Sequence, residues 1–199
     1  EAAAGLVEQS FAISGRLDLI CSNAGFGFGR SVMDEDMNNS SAVTRLFEVN
    51  VFAGLKIAQA YCRVLSQNGQ HGRLMVTASE NSLSLPSAVK RSKMAFYGAT
   101  KHALLIAMEW MRIDPKFADV DLHVLMPGAV YTPLISGGLP DPAAAPAELG
   151  LIMPEQCADT ALRGMDHGLF YIPTHGHFID DMQPRQQEIQ EAMTVLDIP

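Results

Sequence analysis

Short apolar runs alternating with long helical patterns constrain this chain more than any other feature of its sequence. Leu17–Cys21, Arg73–Ala78, Asp121–Met126 and Leu169–Ile172 read as short buried strands. Helices are predicted over Glu1 to about Ile13, Ser41 to about Gln67, Ala95 to about Arg112, Glu155 to about Gly164, and Gln183 to Val195. Ser14-Gly15 stops the first helix, Asn68-Gly69 ends the second, and Pro127-Gly128 breaks the third strand.

Strands that alternate with helices predict an α/β protein, a parallel sheet with helices on both faces. In such sheets a ligand sits beyond the carboxyl ends of the strands. The 199 residues suffice for one domain, 1–199, with a sizeable core. A net charge of −8 argues against a nucleic-acid surface. No apolar run approaches a membrane span and no signal peptide is visible. Cys21, Cys62 and Cys157, odd in number and far apart, fit reduced, buried thiols in a cytoplasm.

Each candidate motif falls at a strand end or on the helix after it. Ser22-Asn23-Ala24-Gly25 follows the first strand; small residues there let backbone approach a flat ligand, or simply turn the chain. Gly25, Gly27 and Gly29 do not match a G-x-G-x-x-G phosphate loop. Asn50 lies in an apolar helical pattern, where its amide must find partners, either at a local kink or with water beside a site. Ser79 closes the second strand, as a hydroxyl donor to a ligand or as a cap. Tyr97 and Lys101 stand four residues apart, placing a phenol and an ammonium on one helix face. A positive charge nearby favours the phenolate, so such a tyrosine can exchange protons with a carbonyl or alcohol. Pro127-Gly128-Ala129-Val130-Tyr131-Thr132 closes the third strand with a turn and a hydroxyl.

In this order and spacing, the Asn-Ala-Gly turn, the Asn-Val helix motif, the strand-end serine, Tyr-x-x-x-Lys and Pro-Gly-x-x-x-Thr resemble the short-chain dehydrogenase/reductase family. The resemblance runs in register from Leu17 to about Thr132 and more loosely beyond. It implies a Rossmann-like three-layer α/β/α fold with a mainly parallel sheet, and a tetrad of Asn50, Ser79, Tyr97 and Lys101. Tyr97 would be the general acid/base, with Lys101 lowering its pKa and holding the nicotinamide ribose. Ser79 would orient the substrate oxygen and Asn50 would position a water. Asn23, Ala24 and Gly25 would line the adenosine side of NAD or NADP, and Val130 and Thr132, after Pro127 and Gly128, would contact the carboxamide.

Two departures stand out. The family's serine lies closer to its tyrosine than Ser79 does to Tyr97, making Ser82 and Ser84 rivals, Ser84 with the commoner spacing. Ser79 is preferred because Arg73–Ser79 matches the family's strand and its end. The family's Thr-Gly-x-x-x-Gly-x-Gly loop also has no match, so the N-terminal strands are expected to be missing, on the order of 60 residues at ~30 per βαβ unit. That leaves Leu17–Cys21 as an edge strand. The residues selecting NAD or NADP would follow one of those strands, so the cofactor cannot be chosen.

The segment 133–153, rich in Pro, Ala, Leu and Gly, matches the family's substrate lid. Its character suggests a small apolar alcohol or carbonyl substrate. Phe26, Phe28, Leu83, Leu85, Met94 and Tyr131 are candidate apolar walls. His175, His177, Asp180 and Asp181 form a donor set that suits part of a metal site. Their place after the last strand favours solvated loop residues, and no metal is expected. The helices over 41–67 and 95–112 are those through which the family forms dimers and tetramers, so a homo-oligomer is expected.

Overall fold

The computed structural model describes residues 2–136 and 141–198. Strands β1 (Leu19–Ser22), β2 (Gly72–Thr77), β3 (Val120–Met126) and β4 (Tyr171–Pro173) form one sheet in the order β1-β2-β3-β4, every pair parallel. Leu19 lies opposite Arg73, Leu74 opposite Leu122, and Val124 opposite Tyr171. The all-parallel sheet follows from the alternation of strands and helices, since parallel neighbours need a crossover.

Helix α1 (Ala2–Ser14) precedes β1. Helices α2 (Ser41–Phe47) and α3 (Ala53–Asn68) are joined end to end by a π-helical turn, Glu48–Phe52, where a single helix over 41–67 is predicted. Ser40 caps α2 by accepting from Val43 N at 3.1 Å. Helix α4 (Ala95–Ile113) precedes β3, and α5 (Pro133–Ser136) is a single turn after it. Helix α6 (Pro154–Asp166) starts with proline at its first turn, and Gln156 Oε1 accepts from Met153 N at 2.8 Å. The last helix, α7, runs over Phe178–Val195 and begins five residues before the predicted Gln183. Pro184 reads as a helix start, but Phe178 is buried in the core and holds an earlier turn in place.

Side chains alternate along the sheet as strand periodicity requires. Leu74 and Val76 of β2, with Leu122, Val124 and Met126 of β3, pack with Val7 of α1, Tyr61 and Leu65 of α3, and Leu104 and Met108 of α4. Met75, Leu125 and Ile172 face the other way, onto Cys157, Ala161 and Met165 of α6. These are the three layers. At about 25 cal/mol per Å² of apolar surface, burial of such side chains is the main stabilising contribution. The thiols differ from expectation at one position. Cys62 and Cys157 are buried, whereas Cys21 on edge strand β1 is exposed, no strand among the described residues pairing with that edge. No helix among the described residues is long and apolar enough to cross a membrane.

Candidate active site

The carboxyl ends of β1, β2 and β3 and the first turns of α4 converge on Tyr97. The phenol is buried, and the Ser79 hydroxyl is its hydrogen-bond partner. Ser79 Oγ in turn accepts from Asn81 N at 3.2 Å and Asn81 Nδ2 at 3.3 Å, which fixes it at the end of β2. Of the three serines considered, only Ser79 lines the cavity with Tyr97 among the described residues. Ser82 Oγ is buried without a hydrogen-bond partner among them. The segment between Ser79 and α4 is two 3-10 turns, Glu80–Ser82 and Ser87–Ser92, which accounts for the long spacing to Tyr97.

One helical turn on, Lys101 is 4% exposed, its Nζ 5.5 Å from the centroid of the Tyr97 ring. Nζ donates to Thr77 O at 2.8 Å, and burial lowers its pKa to about 8. Tyr97 departs from expectation. Burial raises the phenol first, the Ser79 hydrogen bond pulls it back, and the Glu80 charge pushes it up again. Lys101 Nζ hydrogen-bonds the Thr77 carbonyl, and desolvation is the largest influence on the phenol in this arrangement.

Asn50 stands in the π-helical turn, 3% exposed. Its Oδ1 accepts from Phe26 N at 3.1 Å, while Nδ2 donates to Phe26 O at 2.9 Å and to Thr100 Oγ1 at 3.1 Å. The kink reading of this asparagine is the one the geometry shows, tying the turn after β1 to α4. Asn23 Oδ1 accepts from Thr77 Oγ1 at 2.7 Å, and Ala24 and Gly25 are exposed beside it. A Cβ on Gly25 would stand 3.5 Å from Lys101 Nζ, so this turn borders the ammonium. Across the cleft, Pro127 O accepts from Glu80 N at 2.9 Å, and Gly128 N donates to Thr174 Oγ1 at 3.2 Å. The Val130 side chain packs in the core under α6, so only its backbone faces outward, bridged to Ile152. Thr132 Oγ1 donates to Val130 O at 3.3 Å. Lys101, Asn23 and Thr132 thus bring an ammonium, an amide and a hydroxyl to the carboxyl ends of β2, β1 and β3.

On the other side of Tyr97 opens a cavity of about 1160 Å³. Phe28, Met94, Val89, Leu134, Ile135 and Leu149 give it apolar walls. Of the other expected wall residues, Phe26 packs with Val43, Leu46 and Phe96, Leu83 packs on the main core, and Leu85 is exposed. Residues 134, 135, 146, 148 and 149 of the expected lid border the cavity, while 137–140 lie outside the described residues. Gly27 touches the phenol ring closely; a Cβ there would be 2.8 Å from Tyr97 Cδ2.

Sequence reading passed over Glu80, and placed His175, His177 and Asp181 in a solvated loop. In the fold, Glu80 Oε2 accepts from His177 Nε2 at 2.9 Å on the cavity wall. The signals were present: an acid directly after Ser79, and the His-x-His pair. Among the described residues no group of three or more His, Cys, Asp or Glu is arranged to hold a metal ion.

A buried tyrosine beside a strand-end serine and a buried lysine thus stands at the carboxyl edge of a parallel sheet. A family model described as short chain dehydrogenase matches residues 1–139. The chain belongs to the short-chain dehydrogenase/reductase family, and its fold is Rossmann-like. It is 30% identical over 172 residues to 1-deoxy-11-beta-hydroxypentalenate dehydrogenase of Streptomyces avermitilis, covering 85% of this chain and 60% of that protein. It is 23% identical to dehydrogenase/reductase SDR family member 7B of Bos taurus, over 67% of this chain and 38% of that one. The chain therefore spans less than two thirds of the curated relatives it matches. A short-chain dehydrogenase/reductase from Burkholderia phymatum in complex with NAD superposes with a TM-score of 0.77 at 21% identity, covering 96% of this chain and 72% of that one. One from Sphingobium yanoikuyae in complex with NADPH gives 0.70 at 18%, covering 96% and 70%.

Proposed function

We propose that this chain carries the catalytic portion of an NAD(P)-dependent oxidoreductase interconverting an alcohol and its ketone or aldehyde. The observation that carries this reading is the Ser79–Tyr97 hydrogen bond at the cavity, with Lys101 buried beside the ring. A carbonyl oxygen seated against Tyr97 and Ser79 meets two hydroxyl groups, and Tyr97 delivers the proton as the oxygen gains charge. In the reverse direction the phenolate takes that proton back. The raised proton affinity of buried Tyr97 holds it as the acid at neutral pH. When bound, a nicotinamide supplies or accepts the hydride. Lys101, Asn23 and Thr132 would hold its riboside and carboxamide side, and the backbone of residues 127–130 would border it.

The apolar walls favour a substrate with a hydrocarbon body, and the names of the two relatives above, a dehydrogenase and a dehydrogenase/reductase, accord with an alcohol or carbonyl. NAD and NADP both remain in this reading. Exposed Phe52 beside α3 and Ile106, Trp110 and Ile113 on α4 support self-association through those helices, which sedimentation would measure. The alternative reading is a non-catalytic relative that acts as a binding or interaction protein. Titration of NADH and NADPH by calorimetry, followed by turnover of a ketone panel, separates the two. Binding with turnover that Tyr97→Phe removes supports the enzyme; no binding of either dinucleotide supports the other reading.

A further inference from the structure

The cavity wall opposite the apolar residues carries a built polar group. Glu80 is 8% exposed and immediately follows Ser79. Its backbone is pinned to Pro127 O, and its carboxylate accepts from His177 Nε2 at 2.9 Å. Gly128 makes room for this pair, since a Cβ there would lie 3.0 Å from Glu80 Oε2 and 2.7 Å from His175 Nδ1. Asp181 flanks the same imidazole, with Oδ2 4.0 Å from Nε2 and Oδ1 accepting from Ser87 N at 3.0 Å. The ring edge meets Phe178 at 5.2 Å between centroids. Three segments, the ends of β2 and β3 and the start of α7, thus fix one histidine that stays one third exposed on the cavity.

A carboxylate on Nε2 places a proton there, and in the neutral ring Nδ1 then keeps its lone pair. We infer that His177, oriented by Glu80, is a second anchor for the substrate, accepting a hydrogen bond from a neutral hydroxyl remote from the reacting carbon. The substrate class is then a ketone with a hydrocarbon body bearing a second hydroxyl, or the corresponding diol. Glu80, Asp181 and Glu148 on the same cavity disfavour an anionic group there. Lys90 and Arg91 are exposed in that lining, where solvent screens them. Glu80 is a positioning residue in this scheme, acting through the imidazole. The inference deepens the oxidoreductase reading and rests on it for the position of the reacting carbon.

Binding of three probes tests it without relying on turnover: decalone, hydroxydecalone, and decalone bearing a carboxylate, each titrated by calorimetry into the full chain. Hydroxydecalone should bind ~10-fold tighter than decalone, the worth of one hydrogen bond in a preformed site. His177→Phe should close that gap. Glu80→Ala should close it too, while Glu80→Gln, which still accepts from Nε2, should restore it; thermal melting confirms that each variant folds. Equal binding of the two neutral ketones overturns the inference, as does a gap that survives His177→Phe or tightest binding of the carboxylate. Tyr97→Phe should keep the gap. If the gap is present and no ketone is turned over with either dinucleotide, the oxidoreductase reading fails while the anchor stands.

Discussion

Asn50 and Phe26 meet as an amide against a peptide group, two hydrogen bonds of 3.1 and 2.9 Å across 24 residues of sequence. With the third bond to Thr100, this asparagine joins the turn after β1 to the helix bearing Tyr97 and Lys101. Asn50→Ala removes all three bonds and leaves the Phe26 N–H and C=O without their partner, while Thr100 Oγ1 keeps its bond to Tyr97 O, so a loss of about 2–4 kcal/mol is expected. Urea unfolding measures it, and a change under about 1 kcal/mol would show that the clasp is not formed in solution.

Tyr97→Phe removes one oxygen and its bond to Ser79. Turnover of any ketone accepted by the wild type should fall ~100-fold or more, the typical worth of a positioned acid. The melting temperature should move little, because the ring keeps its packing. Steady-state rates with a thermal melt check both, and retained turnover would remove Tyr97 from the mechanism.

The serines separate by position. Ser79→Ala should depress turnover strongly, since its hydroxyl pairs with Tyr97. Ser82→Ala should leave turnover in place and raise stability by roughly 1 kcal/mol, because it removes a buried hydroxyl with no partner among the described residues. Ser84→Ala, outside the cavity lining, should retain activity as well. Equal losses from Ser79→Ala and Ser84→Ala would overturn this assignment.

Lys101 gives a pH signature. Burial lowers its pKa to about 8 from 10.5, so between those values the folded chain binds fewer protons than the unfolded one. Stability from this group therefore rises as pH increases through that window, and is lost as pH falls through about 8. Raised thiol and phenol pKa values act in the opposite sense above pH ~9, so the comparison must be with Lys101→Met. The wild type should gain on that variant by on the order of 2 kcal/mol from pH 8 to 10. Denaturant midpoints at several pH values measure the difference, and a flat one would mean an ammonium that is not desolvated.

The dynamics of the site follow from the same contacts. Tyr97 and Lys101 ride on a long helix packed on the sheet, and their relative positions are rigid. His177 sits at the start of α7, held by Glu80 and flanked by Asp181, which itself accepts from Ser87 N, and its order depends on those few contacts. Hydrogen exchange should find α4 more protected than the first turn of α7.

The sequence by itself determined the order of strands and helices, because periodicity and turn residues are local properties of the chain. It also placed Asn50, Ser79, Tyr97, Lys101 and the turns at residues 23–25 and 127–132 at strand ends or on helices beside them. The tertiary structure decided what pairs with what. It gave Ser79 to Tyr97 and not Ser84, because two 3-10 turns take up the extra residues. It turned Lys101 onto Thr77 O and left the phenol's proton affinity to burial, a term that no spacing reveals. It began α7 at Phe178, because a buried side chain outweighs the start signal of Pro184. And it carried His177 across 97 residues to Glu80, a contact that exists only because parallel crossovers bring the ends of successive strands to the same edge.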